Sequence, residues 1–275
     1  MHDDVHDLGP GFDPEPVPEP GGALPSALIT ALTRRLEPWL PNPAAQGWFG
    51  AFALVAVLHL AAQLVGPVGG DVARMTQGLL VPPLAAALWC ATTAVPRPRL
   101  VTLAVVGLMC SWAGDTVPAL VSPDASFPVM MAIFLCAQVV YVLAFWPLRR
   151  RSVLLANRPV AALYGVVYVV LVGTVAVRLL DDDVPGAPAL VVALAVYGAV
   201  LVTMAMLATG VDRLAGLGGV LFVASDGLLG VQQAVPTVGL ELPWGLYAFL
   251  VMLLYIAAQT LLVAGVRRCS VGGRF

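Results

Sequence analysis

Long runs of apolar residues separated by short polar connections occupy most of the chain. Eight apolar segments can be distinguished, at about residues 48–66, 76–95, 99–121, 127–148, 159–180, 186–209, 214–235 and 243–266. Each is close to the roughly 20 residues that an α-helix needs to cross the hydrocarbon core of a bilayer. The pattern therefore predicts an all-α membrane protein, a bundle of eight transmembrane helices.

The beginning of the chain departs sharply from this pattern. Residues 1–22 are rich in acidic residues, proline and glycine, a composition typical of disorder. Ser26 is a candidate N-cap and leucines recur at every fourth position after it, so residues 26–37 are either a helix on the membrane surface or part of a linker. We expect a disordered tail over residues 1–46, a transmembrane domain over 47–268 and a short C-terminal tail over 269–275.

Composition excludes several classes of protein. Hydrophobic residues make up 60% of the chain and charged residues 11%, against roughly 45–50% and 25% in a soluble domain. The net charge of −2 leaves no basic surplus, so no nucleic-acid partner is expected. The four cysteines form no CxxC or zinc-type spacing, so no metal site is predicted.

The distribution of arginine predicts the orientation. With eight spans, 12 of the 14 basic residues fall on the side that holds both termini. Cytoplasmic loops collect Arg and Lys, so both termini should be cytoplasmic. We expect a multi-pass protein of the plasma membrane, a bacterial inner membrane.

Two carboxyl groups stand out because they lie inside predicted spans. Asp115 is in the third segment and Asp226 in the seventh, whereas the other acidic residues lie in the tail and the loops. A carboxylate near the centre of a membrane helix costs roughly 2.5–3.5 kcal/mol, so such residues usually face a bundle interior or a wet cavity. Asp115 and Asp226 are therefore the candidate functional residues.

Other polar residues in the spans recur three or four positions apart, which places each pair on one face of its helix. The pairs are His59 and Gln63, Ser111 and Asp115, Gln138 and Tyr141, and Tyr255 and Gln259, and on the seventh segment Gly219, Asp226, Gly230 and Gln233 share a stripe. We expect segments 1, 3, 4, 7 and 8 to line a central polar pocket. The alternative for the uncharged residues is hydrogen bonding between helices alone.

Three short motifs resemble those of the YhhN-type lysoplasmalogenase family. Residues 111–115 read S-x-x-G-D, residues 222–226 read F-x-x-S-D and residues 255–259 read Y-x-x-A-Q, in the family's order. The family also has eight membrane helices. Two positions depart from it, because Gln77 stands where the family often has Lys, and Gln138 where it often has His.

The resemblance implies an ether-bond hydrolase of lipid metabolism that cleaves the vinyl ether bond of lysoplasmalogens. The products would be a fatty aldehyde and a glycerophospho-ethanolamine or -choline. Such cleavage suits Asp115 and Asp226, because two carboxyls in a poorly solvated site hold one proton between them and supply an acid and a base without metal or cofactor. Hydrogen bonds from Ser111, Ser225, Tyr255 and Gln259 would support the pair, with Gln77, Gln138 and Tyr141 nearby. The partners implied are a lysophospholipid substrate and membrane lipids.

Other functions remain open at this point. The same scaffold suits a hydrolase of another lyso-lipid or ether lipid. An Asp pair also suits a proton- or cation-coupled transporter, although the sequence has no inverted repeat or matching broken helices. A purely structural membrane protein fits least well, because it would not need two intramembrane acids.

Overall fold

The described part of the protein is helical almost throughout. The computed structural model describes residues 40–65, 67–181, 186–234 and 244–272, which contain no β-strand. Their long helices are α1 (Pro43–Leu64), α2 (Pro67–Ala91), α3 (Arg99–Thr116), α4 (Pro123–Phe145), α5 (Arg158–Asp181), α6 (Ala187–Val211), α7 (Arg213–Ala234) and α8 (Trp244–Val271). Short 3₁₀ helices follow α3 and α4, over Val117–Leu120 and Trp146–Arg151, and one helical turn, Val153–Ala156, precedes α5. The predicted all-α class is confirmed.

Seven of these helices are long and apolar enough to cross a membrane. The helix outside this group is α2, which has 25 residues but contains Arg74, Gln77 and two internal prolines. These residues lower its hydropathy without ending the helix. The described residues therefore have the helices of a multi-pass membrane protein.

Several helix ends differ from the predicted segments. α1 begins at Pro43 rather than near residue 48, because the Asn42 side chain caps it by accepting the Ala45 N–H at 2.8 Å. α2 begins at Pro67 instead of 76. Its first turns contain glycines and polar residues, so the apolar pattern does not include them. α8 continues to Val271, within the predicted C-terminal tail. The predicted surface helix at 26–37 and most of the predicted N-terminal tail lie outside the described residues.

Seven of the described helices close into a ring, in the order α1, α2, α3, α4, α6, α7, α8 and back to α1. α8 also reaches across the ring to α3, and α5 packs outside it against α6 and α7. Only 6% of the most apolar stretch of α5 is buried, compared with 22–39% in the other six membrane-crossing candidates. Many apolar side chains of α5, among them Leu163, Val166 and Val169, are exposed, as on a helix facing lipid.

Helices α7 and α8 touch through their backbones. A Cβ atom on Gly265 would lie 2.5 Å from the Ala215 nitrogen, and one on Gly218 would lie 2.8 Å from the Ala258 oxygen. Small residues allow this approach, which is a common way for membrane helices to associate. The contact fixes how the two helices face each other, and both carry residues of the candidate site.

We predict that Gly265→Val destabilises the protein. Overpacking at such a contact typically costs about 1–3 kcal/mol, so the thermal midpoint of the purified protein in detergent should fall. Gly173→Val in α5 is the matched control, because a Cβ there meets no atom within 4 Å. Equal midpoints for the two variants would show that the α7–α8 contact does not depend on glycine.

Candidate active site

The close packing of α3 on α4 positions Asp115. Aromatic rings of α4 occupy the space beside two glycines of α3, since a Cβ on Gly107 would lie 2.9 Å from the Tyr141 ring and one on Gly114 would lie 2.6 Å from the Phe134 ring. The Trp112 indole N–H donates to the Gly78 carbonyl at 2.8 Å and ties α3 to α2 as well. Asp115 thus lies on a helix that is held on two sides.

Asp115 accepts hydrogen bonds from two other helices. The Tyr255 hydroxyl of α8 donates to Oδ2 at 2.8 Å, and the Gln77 amide of α2 lies 3.5 Å from Oδ1. Both donors are neutral. The carboxyl group is therefore oriented by dipoles rather than by a cation.

Asp226 of α7 also accepts a hydrogen bond from a tyrosine of another helix. The Tyr197 hydroxyl of α6 donates to its Oδ2. The preceding residue, Ser225, is buried and donates to the Val251 carbonyl of α8 at 3.0 Å, which holds this part of α7 against α8. Each aspartate therefore has a tyrosine hydroxyl as a hydrogen-bond donor.

Both carboxyl groups line one cavity of about 160 Å³. A water molecule occupies roughly 30 Å³ in the liquid, so the cavity has room for about five. Its polar lining residues are Gln77, Asp115, Tyr197, Ser225, Asp226 and Tyr255, and its apolar ones are Phe127, Met130, Met131, Phe134, Leu194, Leu229, Gly230, Val251 and Met252. No Arg or His is among these described lining residues, so the aspartates are the only groups among them that can carry a charge at neutral pH.

A chain of hydrogen bonds extends from Asp115 away from the cavity. The Gln259 amide donates to the Tyr255 hydroxyl at 3.4 Å, and the Tyr141 hydroxyl donates to Gln259 Oε1 at 3.1 Å. All three residues are at most 4% exposed. The Tyr255 ring also meets Phe134 and Phe222 edge to face, with centroids 6.0 and 5.7 Å away. Tyr255 is therefore fixed both by packing and by hydrogen bonds.

The predicted residues occupy three different positions. Asp115, Asp226, Ser225, Tyr255 and Gln77 line the cavity, and Tyr141 and Gln259 lie behind Tyr255. Ser111 and Gln138 are fully buried, next to the hydroxyls of Tyr141 and Tyr197, but their side chains make no hydrogen bond of ordinary geometry and do not line the cavity.

The expectation that α1 lines the same pocket is wrong. Its buried His59 contacts the Thr76 hydroxyl at 2.9 Å and the Ala73 carbonyl at 3.1 Å through Nδ1, and Gln63 lies 3.2 Å from its Nε2. These polar groups satisfy one another at the α1–α2 contact. No residue of α1 is among the described residues that line the cavity.

Sequence reasoning missed Tyr197, because no polar residue lies three or four positions from it in α6. A usable signal was present in the short α6–α7 connection. Asp212 alone separates the two helices, and Tyr197 precedes it by 15 residues (212 − 197) while Asp226 follows it by 14 (226 − 212). Residues equally far from a tight turn lie side by side in two antiparallel helices.

The fold and the site together define a helical, multi-pass membrane protein with a pair of aspartates in one interior cavity. The chain belongs to the YhhN family, whose sequence profile matches residues 72–266 and so includes both aspartates. The resemblance carried by the three motifs is thereby confirmed. No curated protein and no solved structure matches the chain. In the part of the chain described, no group of three or more His, Cys, Asp or Glu side chains is placed to hold a metal ion.

We predict that Gln259→Leu lowers the free energy of unfolding by about 1–3 kcal/mol, because the buried Tyr141 hydroxyl loses its acceptor. Adding Tyr141→Phe removes that unpaired hydroxyl, so the double variant should lose less stability than the sum of the two single variants. Denaturant unfolding of the purified protein measures all three. Strict additivity would mean that the two side chains are not coupled.

Proposed function

We propose that the protein is a membrane lysoplasmalogenase. It hydrolyses the vinyl ether bond of a lysoplasmalogen in the plasma membrane and releases a fatty aldehyde and a glycerophospho-ethanolamine or -choline. The observation that carries the proposal is that Asp115 and Asp226 line one interior cavity, each with a tyrosine hydroxyl as a hydrogen-bond donor. Membership of the YhhN family supports the same conclusion.

The reaction begins with proton transfer to carbon. One aspartate, protonated, donates its proton to the alkene carbon that does not bear oxygen, and the vinyl ether becomes an oxocarbenium ion. The other aspartate, ionised, stabilises this cation by its negative charge. It then takes a proton from the water that attacks the cationic carbon, and a hemiacetal forms.

Breakdown of the hemiacetal restores the starting state. The second aspartate, now protonated, donates to the ether oxygen as the carbon–oxygen bond breaks. The first aspartate takes the hydroxyl proton of the hemiacetal, so the products are an aldehyde and an alcohol. Neither proton is lost to solvent, and the pair ends with its single proton on the original residue.

The neutral lining of the cavity supports one shared proton. No cation is among its described lining residues, so two ionised carboxylates would repel each other in a site with little water. One proton shared by the pair reduces this repulsion, and it is also what the first step consumes. In this chain Gln77, where the family often has Lys, reaches Asp115 with a neutral amide.

In this proposal, a second, apolar cavity of about 70 Å³ receives the hydrocarbon chain. It lies between α5, α6 and α7, and it shares Leu194, Tyr197, Asp226 and Gly230 with the aspartate cavity. The residues that belong to it alone are apolar apart from the Tyr168 hydroxyl, which donates to the Ala195 carbonyl. Its volume suffices for the first few carbons next to the reacting bond, and the rest of the chain extends past α5 into the bilayer.

We predict that Asp115→Asn and Asp226→Asn each reduce turnover by at least about a thousandfold, because an amide neither donates an acidic proton nor accepts one. Asp124→Asn is the matched control, since Asp124 is exposed in the first turn of α4 and does not line the cavity. Aldehyde release by the purified protein in detergent measures the rates. Wild-type turnover in either cavity variant, with its fold retained, would rule out the proposed acid and base.

Substrate analogues distinguish the proposal from its alternatives. We expect aldehyde from lysoplasmalogen and no product from the ester or the saturated alkyl-ether analogue, because only the vinyl ether accepts a proton on carbon. Ester cleavage would identify a different lipid hydrolase. Inertness towards all three, with ion flux in proteoliposomes that Asp226→Asn abolishes, would identify a transporter.

We predict that Gly227→Leu, which fills the apolar cavity from α7 towards Leu171, raises the KM for a long-chain lysoplasmalogen by about tenfold, the effect of one or two buried methylenes. The KM for a substrate with a very short chain should change little. Gly173→Val in α5, outside both cavities, is the control. Equal changes in KM for the long-chain and the short-chain substrate would mean that the hydrocarbon chain binds elsewhere.

A further inference from the structure

A third cavity, of about 450 Å³, lies at the other end of α7 from Asp226. It is lined by Arg151, Thr209, Gly210, Val211, Asp212, Arg213 and Arg268. None of these residues lines either cavity near the aspartates. Arg213 precedes Asp226 by 13 residues (226 − 213) on the same helix, which corresponds to roughly 20 Å along its axis. The cavity is therefore separate from the candidate active site.

Close backbone packing forms one wall of this cavity. Gly210, near the end of α6, lies against the segment that follows α4, so that a Cβ there would be 2.7 Å from the Leu148 carbonyl oxygen and 2.9 Å from the Ser152 nitrogen. Nearby, the Thr209 hydroxyl accepts the Val153 N–H at 2.9 Å. These contacts bring the end of the 3₁₀ helix, with Arg151, against the α6–α7 connection.

Asp212 organises the other wall. Its side chain accepts the Leu214 N–H at 2.9 Å at the beginning of α7, and the Arg268 guanidinium lies 3.6 Å from the same carboxyl oxygen. The carboxylate is thus engaged by a helix N-terminus and by an arginine. The end of α8 is held next to the beginning of α7.

The lining carries three positive charges and one negative charge, a net charge of +2. The tendency of arginine to remain on the cytoplasmic side explains why these residues lie at this end of the bundle. That tendency alone does not explain why arginines from three separate segments line one cavity. Guanidinium groups are planar and donate two parallel hydrogen bonds, a geometry that matches phosphate oxygens.

We propose that this cavity binds a phosphate group, through Arg151, Arg213 and Arg268. The net charge of +2 complements a phosphate monoester, which carries between one and two negative charges at neutral pH. The group belongs either to an anionic lipid headgroup at the membrane surface or to a soluble phosphate compound. The volume leaves space for the rest of such a headgroup or compound beside the phosphate.

The test uses the full-length protein purified in phosphate-free detergent buffer. In the first arm, inorganic phosphate is titrated at constant ionic strength against a chloride control, and the thermal midpoint is followed. In the second arm, the protein is placed in phosphatidylcholine vesicles that contain phosphatidic acid. The control vesicles contain oleate, which has no phosphate, at the proportion that gives the same measured surface charge.

In at least one arm, we expect the phosphate probe to raise the thermal midpoint of the protein more than the control of that arm does. Arg213→Gln and Arg151→Gln should each lower the apparent affinity for phosphate, as derived from the midpoint titration, by about tenfold. Each variant removes one guanidinium group. Arg150→Gln is the matched control, because Arg150 is exposed beside Arg151 and does not line the cavity. A response in either arm supports phosphate binding. A response to inorganic phosphate alone identifies a soluble ligand, and a response to phosphatidic acid alone identifies a lipid headgroup.

Three results would overturn the proposal. The first is the absence of stabilisation by phosphate in both arms. The second is an equal response to oleate and phosphatidic acid with none to inorganic phosphate, because charge alone would then account for it. The third is an equal loss in Arg150→Gln and Arg213→Gln, which would assign the effect to the general charge of this end of the bundle.

Discussion

A carboxyl group inside an apolar helix bundle has little water to bind, so its hydrogen bonds must come from the protein. That requirement explains why four helices besides α3 and α7 converge around the two aspartates. α2 and α8 supply donors to Asp115, α6 supplies a donor to Asp226, and α4 supplies the phenyl ring that packs on Tyr255. The ring of helices can be understood as the framework that brings these groups together, although α1, a member of the ring, supplies none of the described residues that line the aspartate cavity.

The neutrality of the donors has a consequence for chemistry. The tyrosine hydroxyls and the Gln77 amide orient the carboxyl oxygens without adding a charge beside them. Among the described lining residues, any charge at neutral pH therefore comes from the aspartates themselves. Three arginines instead line a separate cavity at the other end of α7 from Asp226. The cation-rich cavity and the aspartate cavity thus share no lining residue.

Much of this organisation is readable from the sequence, for identifiable reasons. Apolar runs of membrane-spanning length predict the helices, and the cost of an intramembrane acid singles out Asp115 and Asp226. Tyr255 and Gln259 are found through their spacing, because residues four apart share a helix face. The same rule fails for His59 and Gln63, since a shared face does not say which neighbour it meets. It also fails for Tyr197, which has no polar residue three or four positions away on its helix. Hydropathy does not register the Asn42 cap that begins α1 early, or an ion pair such as that of Asp71 with Arg74 in the first turns of α2.

The single residue between α6 and α7 makes the length of that connection part of the site. Tyr197 and Asp226 meet because they are nearly equidistant from Asp212. The position of the turn therefore determines which residues of α6 and α7 lie side by side. One residue added within α7 before Asp226 would rotate that side chain by about 100° and shift it by about 1.5 Å. Insertions and deletions that a surface loop ordinarily tolerates are therefore excluded between positions 197 and 226, whereas substitutions on the outer faces of the same helices leave the register unchanged.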